Sequence, residues 1–445
     1  MARNRKIIIV GAGLVGSLLG VMLGRRGYQI DLYEKRGDAR KVDEDSGRSI
    51  NLALSSRGIK ALTEAGLYEK VKPLLITMRG RMLHQADGSE QFSPYGQREH
   101  EVIYSVPRDE LNKLMLNEAV AAEPVHVHFD QKCLGVDFEN RSVKFENTRD
   151  GSVSEERFDL IIGTDGAFSA IRKQMQFTDR FNFSQHYIEH GYKELTIEPK
   201  NEDFALEPHH LHIWPRGNFM LIALPNFDKT FTCTLFFPFE GDPSFSTLAN
   251  DEEIHRFFST YFKDVPELIP DLVAQFKSNP TSSLVTTKCS PWYKNKTILL
   301  GDAAHAIVPF YGQGMNSGFE DVRLFVELSE KLNWDWESIL PNFSNTRKKD
   351  ADAISELALH NFIEMRDHVG DPDFLKRKVL EGKLQDAYPD LWVPLYSMVT
   401  FSDYSYSEAL RLGKIQKGVL DEFSSEELPD YQQIIERFNT LKTDG

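Results

Sequence analysis

Three cysteines in 445 residues, Cys133, Cys233 and Cys289, are too few and too widely spaced for a disulfide framework or a paired-thiolate zinc site. They point to a reducing, cytosolic setting. Positive charge is also short. Against 67 acidic side chains stand 52 lysines and arginines, for a net charge of -15. That disfavours nucleic acid or an anionic membrane as a partner, since both are held by a basic surface, and leaves room only for a local basic pocket. Long apolar runs are nearly missing. "IIIVGAGLVGSLLGVMLG" (7–24) carries no charge and just reaches spanning length, but its glycines suit strand, turn and helix better than one continuous helix. "LWVPLYSMV" (391–399) is too short to span. There is no signal-peptide cleavage pattern and no internal repeat. Among the thirteen histidines, "EPHHLHIW" (207–214) alternates like a strand, reading as pleated surface and not as a metal site. With 41% hydrophobic and 27% charged residues, the remainder is an ordinary soluble composition, long enough for two or three domains.

What is present starts at the N-terminus. "KIIIV" (6–10) is a continuous apolar run, as expected of a strand buried on both faces. "GAGLVG" follows at once and sets Gly11, Gly13 and Gly16 in G-x-G-x-x-G register around Leu14 and Val15. A helix "SLLGVMLGRRG" and a second strand "QIDLYE" come next, the latter ending in Glu34 ahead of Lys35 and Arg36. Each glycine has a physical reason: Gly11 makes the tight turn, Gly13 admits a pyrophosphate to the backbone, and Gly16 allows close helix–strand packing. The helix start faces phosphate, and Glu34 accepts from a ribose diol. Two later strands also end in acids, Asp165 in "RFDLIIGTDGAFSAIRKQM" and Asp302 in "KTILLGDAAH". The carboxyl edge of a parallel sheet is where such folds hold ligands. Between Asp302 and a long amphipathic helix lies "PFYGQGMN" (309–316). Its Gly312 and Gly314 let backbone approach something flat, and the N–H groups of Gly314, Met315 and Asn316 open the helix towards an anionic edge.

The early glycine fingerprint, the mid-chain Asp-Gly and the late Gly-Asp together resemble the single-component, FAD-dependent aromatic hydroxylases of the para-hydroxybenzoate hydroxylase type. Further segments are similar to the kynurenine-hydroxylating branch of that family: "GRSINLALSSRG" (47–58), "MRGRMLH" (78–84), "HGYKEL" (190–195), "HLHIWPRG" (210–217), "VPFYGQGMNSGFED" (308–321) and "LHNFIEMRD" (359–367). The resemblance implies tightly bound FAD, with NADPH and O2 as co-substrates and hydroxylation through a flavin C4a-hydroperoxide. The substrate is then a small aromatic amino acid. No nucleophile–base pair or metal is needed for this chemistry, and none is identified; the protein supplies position, a dry pocket and proton control. The resemblance assigns substrate positioning to Arg81, Tyr95, Asn361 and Tyr396, with Arg81 taking the carboxylate; Phe310 would wall the substrate ring, and Met365, four residues from Asn361 on one helix face, would line it. It adds Ala53, Arg108 and Leu134 to the cofactor residues.

The expected fold is α/β: a Rossmann-like FAD-binding domain with an inserted mixed or antiparallel β-sheet substrate domain and a helical C-terminal part. The segments are 1–176 and 291–341 for the FAD domain, 177–290 for the sheet and 342–445 for the helices. Mitochondrial relatives carry a C-terminal membrane anchor. This chain shows no such apolar stretch, so a soluble, cytoplasmic, bacterial-type enzyme is expected, with oligomeric state left open. Two other readings are weighed beside it: hydroxylation of another anthranilate-like or phenolic acid, and a flavin-binding interaction module.

Overall fold

The computed structural model describes residues 6–41, 51–96, 98–364, 372–423 and 430–443. It divides into two compact units. The first comprises Met1–Leu75, Val106–Tyr187 and Val285–Ser355; the second comprises Ile76–Ser105, Ile188–Leu284 and Glu356–Gly445.

The first unit is built on a six-stranded sheet in the order Tyr293–Lys294, Thr297–Leu299, Leu160–Gly163, Lys6–Val10, Gln29–Tyr33, Val125–His128. The strands pair in parallel, with Tyr293–Lys294 the antiparallel edge. Apolar runs in the sequence become the two-sided core of this sheet: Ile7, Ile8 and Ile9 lie beside Leu160, Ile161 and Ile162, all wholly buried. The helix Leu14–Gly24 follows the first strand, and Gly27, at φ +80°, turns the chain into the next. Val153–Arg157, Ser142–Asn147 and Gln131–Asp137 form a small antiparallel sheet. The helix Gly314–Lys331 buries Phe319, Val322, Phe325 and Val326, the apolar stripe its sequence carries.

The second unit holds a seven-stranded mixed sheet. Its order is Thr281–Ser290, Asn182–Ile197, Phe231–Pro238, Met220–Pro225, His210–Pro215, Gly80–His84, Glu90–Pro94. Only the His210–Pro215 and Gly80–His84 pairing is parallel among the registers described. On one face Trp214, Leu221, Phe231 and Phe237 pack against Phe257, Phe258 and Phe276 from the helices Asp251–Tyr261 and Leu272–Ser278. Most described residues from Glu356 onward are helical, in Pro372–Ala387, Leu395–Phe401, Tyr406–Phe423 and Tyr431–Thr443 beyond the end of Trp336–Ile363. Among the described residues no helix is long and apolar enough to cross a membrane.

One expectation is corrected here. "EPHHLHIW" does form a strand, but it is not surface: His212 is buried and Trp214 wholly so. Alternation marks one face as different from the other, and helices cover the face on which these two residues lie. His212 spends its polar atoms inside the chain. Its Nε2 lies 2.9 Å from the Glu207 carbonyl and its Nδ1 2.8 Å from His84 Nε2.

Candidate cofactor and substrate sites

The glycine fingerprint folds as a turn from strand into helix. Gly11 sits at φ +103°, and a Cβ there would lie 2.6 Å from the Thr164 carbonyl oxygen. Gly16 is tighter still, since its Cβ would meet the Gly11 oxygen at 1.9 Å. Thr164 Oγ1 braces the same turn by donating to the Val10 and Gly11 carbonyls at 2.9 and 2.8 Å. Gly13 differs: a Cβ there meets nothing within 4 Å. It is also the N-cap of Leu14–Gly24, with no side-chain cap and no acid in the first turn. The helix start therefore has no side-chain cap or first-turn acid of its own, an arrangement suited to holding an anion.

Glu34 is buried at the end of the second strand. Its Oε2 accepts from the Ala12 N–H at 3.0 Å, and Oε1 accepts from the N–H and Nε of Arg36 at 3.1 and 2.8 Å. Each carboxylate oxygen has a second lone pair, so a ribose would share these acceptors and not own them. Lys35 and Arg36 are exposed.

Two acids converge at the ends of the later strands. Asp165 Oδ2 accepts from the Ala170 N–H at 2.7 Å, while Oδ1 is buried with no partner among the described residues. Burial raises its carboxyl pKa. Asp302 opens the helix Asp302–His305 and is reachable by solvent. Desolvation nonetheless raises its pKa, against the pull of His305 and Arg108. Arg172 NH1 donates to the Ala303 carbonyl at 2.7 Å and NH2 to that of Ala167, and its Nε has no partner among the described residues. Arg108 is the exposed first residue of Arg108–Ala121; Pro107 before it is the N-cap, ending the preceding strand.

The stretch 309–316 is a one-turn 3-10 helix, Pro309–Tyr311, then Gly312 at φ +65° and the helix Gly314–Lys331. Asn316 clasps the turn from inside. Its Nδ2 donates to the Ala53 and Gly312 carbonyls at 2.8 Å each, and its Oδ1 accepts from the Ser55 N–H at 2.9 Å. That side chain is wholly buried, so what it offers a ligand is its backbone N–H. Gln313, the N-cap, supplies no side-chain cap, and the first turn carries no acid. Phe310, Tyr311 and Met315 are buried beside the turn. Leu134 stands 47% exposed, an apolar side chain left uncovered by the described residues.

In the second unit Arg81, Tyr95 and Tyr396 come together. The Arg81 guanidinium carbon lies 5.1 Å from the Tyr95 ring centre and 4.9 Å from that of Tyr396, and the two rings stack at 5.7 Å and 9°. Arg81 Nε and Tyr95 Oη are both buried. The hydroxyl has no hydrogen-bond partner among the described residues. Burial raises the pKa of both phenols, against the pull of Arg81, so each stays a neutral donor. Asn361 is buried near the end of the helix Trp336–Ile363, and Met365 lies outside the described residues. Phe310 belongs to the first unit. Sequence reasoning passed over Thr164 and the buried ionic residues behind Asp302; Asp321 alone gave a signal, as an acid set between the apolar positions of a helix.

Parallel sheet, glycine turn, orphaned Asp165 oxygen and uncapped helix starts together define a dinucleotide-binding flavoprotein, and these residues fit FAD. A family profile described as FAD binding domain matches residues 4–358. Among solved structures, the tetrameric form of 2-methyl-3-hydroxypyridine-5-carboxylic acid oxygenase superposes with a TM-score of 0.67 at 19% identity, covering 84% of this chain and 96% of that one. PqsL of Pseudomonas aeruginosa in complex with 2-aminobenzoylacetate gives 0.65 at 20%, covering 82% and 97%. Both show the fold. The kynurenine 3-monooxygenase of Christiangramia forsetii is 47% identical over 428 residues, 95% of this chain and 94% of that protein. That of Dictyostelium discoideum is 43% identical over 433 residues, 94% and 93%. The chain belongs to the kynurenine 3-monooxygenase family.

Proposed function

We propose that this protein is a soluble, cytoplasmic monooxygenase that oxidises NADPH and places one atom of O2 at ring position 3 of L-kynurenine. The product is 3-hydroxykynurenine, on the route of tryptophan degradation towards quinolinate and NAD. The Arg81 cluster carries this reading of the substrate. A guanidinium lying over two tyrosine rings, beside a buried phenol with an unused hydrogen, suits a carboxylate attached to an aromatic body. A plain phenol needs no such set.

FAD, when bound, takes electrons from NADPH and activates O2. Gly13 and the N–H groups of Leu14, Val15 and Gly16 would hold its pyrophosphate, Glu34 its ribose, and Asp302 and Arg108 its linking chain. The helix start at Gly314, Met315 and Asn316 presents partial positive charge, which favours an anionic edge of a reduced ring. Arg81 and Tyr95 would fix the substrate carboxylate and so the register of its ring; Asn361 and Tyr396 complete the polar set. The chain shows one dinucleotide fingerprint. With FAD in it, NADPH docks transiently elsewhere on the surface.

The test is NADPH oxidation by the purified yellow protein with and without L-kynurenine, with the product identified by mass. Kynurenine should accelerate oxidation and gain one oxygen. A protein that is yellow and oxidises NADPH, yet is accelerated only by another anthranilate-like or phenolic acid, would overturn the substrate and leave the flavin chemistry standing.

A further inference from the structure

Behind the Asp302 turn lies a chain of buried charged side chains. Asp321 is wholly buried and uses both oxygens. Oδ2 accepts from the Gly301 N–H at 2.9 Å and lies 2.6 Å from His305 Nε2; Oδ1 accepts from Arg347 Nε at 2.7 Å. Arg347, also buried, donates from NH2 to the Ser317 carbonyl at 3.2 Å and pairs with Glu320 Oε2 at 2.8 Å. Arg57 NH1 closes the chain on Glu320 Oε1 at 2.6 Å. His305 stacks on Trp292, ring centres 5.0 Å apart.

These contacts join three places that a flavin needs in fixed relation. Gly301 and His305 bracket the turn that presents Asp302. Ser317 and Glu320 lie in the opening turns of Gly314–Lys331. Gly301 and Gly318 both press on Val15, in the first turn of the fingerprint helix: a Cβ on either would lie 3.0 or 2.7 Å from Val15 Cγ2. Burying ions away from water is costly, and an apolar set of the same volume often serves stability as well. What apolar side chains cannot do is fix two helix starts and a glycine turn at hydrogen-bond precision. We propose that Asp321 and Arg347 are positioning residues for the flavin, holding the Asp302 turn and the Gly314 helix start in register so that reduced FAD is bound in preference to oxidised FAD. This rests on the FAD reading above.

The experiment uses the purified full-length holoprotein and its Asp321→Asn, Arg347→Met and Arg347→Lys variants. It reads the FAD dissociation constant by flavin fluorescence, the midpoint potential by reductive titration, and the melting temperature with and without FAD. Asp321→Asn and Arg347→Met should weaken FAD at least tenfold. They should also lower the potential by about 30 mV, which is a tenfold loss of preference for the reduced form in a two-electron couple. Arg347→Lys should recover part of both. Where Asp321→Asn fails to fold, Glu320→Gln, one step further from the turn, carries the same measurements. Variants that melt earlier but keep the wild-type dissociation constant and potential would overturn the proposal, leaving the network a structural one. A wild-type protein that binds no FAD would instead overturn the FAD reading.

Discussion

Replacing Tyr95 by phenylalanine should move stability and substrate binding in opposite directions. Tyr95 is 6% exposed and its hydroxyl is buried without a partner among the described residues. A buried hydroxyl left unsatisfied costs about 1–3 kcal/mol. Phenylalanine removes that cost and keeps the ring against Tyr396 and Arg81. The ligand-free variant should therefore gain ~1 kcal/mol or more, or roughly 2–4 °C in melting temperature for a domain of this size. A carboxylate arriving at Arg81 would take the phenol hydrogen, and a hydrogen bond to a charged group contributes about 1.5–3 kcal/mol. KM for kynurenine should then rise about 10- to 150-fold. The contact holds substrate and transition state alike, so kcat should stay near wild type. The assays are thermal melting of the ligand-free protein and steady-state NADPH oxidation. A variant that melts earlier and keeps its KM would refute the reasoning, for Tyr95 would then be an ordinary core residue whose hydroxyl is already satisfied.

The glycines permit a paired test by melting curves and FAD titration: Gly13→Ala and Gly314→Ala should leave the FAD-free protein at least as stable as wild type while weakening FAD by tenfold or more, whereas Gly16→Ala should unfold it. Arg81→Lys keeps the charge but loses the planar fork, so KM should rise steeply in the same NADPH assay with FAD binding unchanged. Burial lowers the His212 pKa from 6.5 to about 4. Between those values the unfolded chain binds a proton that the folded chain does not, so stability should fall as pH drops from about 6.5 towards 4 and then level off. His212→Gln should flatten that limb of a denaturant-stability profile against pH, whatever its effect at pH 7. Asp321 is opposite in origin and acts lower: burial would raise its carboxyl, but His305 and Arg347 outweigh this and hold it at about 2. Its contribution is present above about pH 4 and lost as pH falls through 2, which acid-denaturation curves of Asp321→Asn would show by their missing steepest segment.

The parallel core of the first unit was legible because two-sided burial writes itself as unbroken apolar runs, and "KIIIV" became the strand Lys6–Val10 residue for residue. The glycine turn was legible for a similar reason: its constraint is local, and three glycines at fixed spacing have few other uses. The Arg81 cluster was legible only through the family resemblance, which put Arg81, Tyr95 and Tyr396 in one substrate-positioning set. Arg81 and Tyr396 stand far apart in the chain and meet only through tertiary folding; nothing in the neighbourhood of either residue announces the other. The Asp321–Arg347 pair was hidden in the same way, by separation along the chain. His212 was misjudged because alternation says that two faces differ, not which one a later helix will cover.

Steric demand separates the glycines the fold needs from those a ligand needs. Gly312 lies at φ +65°, where an L-residue is strained by ~1–2 kcal/mol, and its Cβ would stand 3.1 Å from that of Ala53. Gly11 and Gly16 are likewise walled in by the Thr164 and Gly11 carbonyls. The chain itself explains these three. Gly13 and Gly314 have no positive φ, and a Cβ on either meets nothing closer than Ile307 Cγ1 at 3.9 Å. Gly314 even opens a helix, where alanine is better by about 1 kcal/mol. No contact among the described residues requires glycine at either position. Both sit at uncapped helix starts, one expected to face a pyrophosphate and the other a flavin ring. On the FAD reading, the surface that would exclude a methyl group there is the cofactor's.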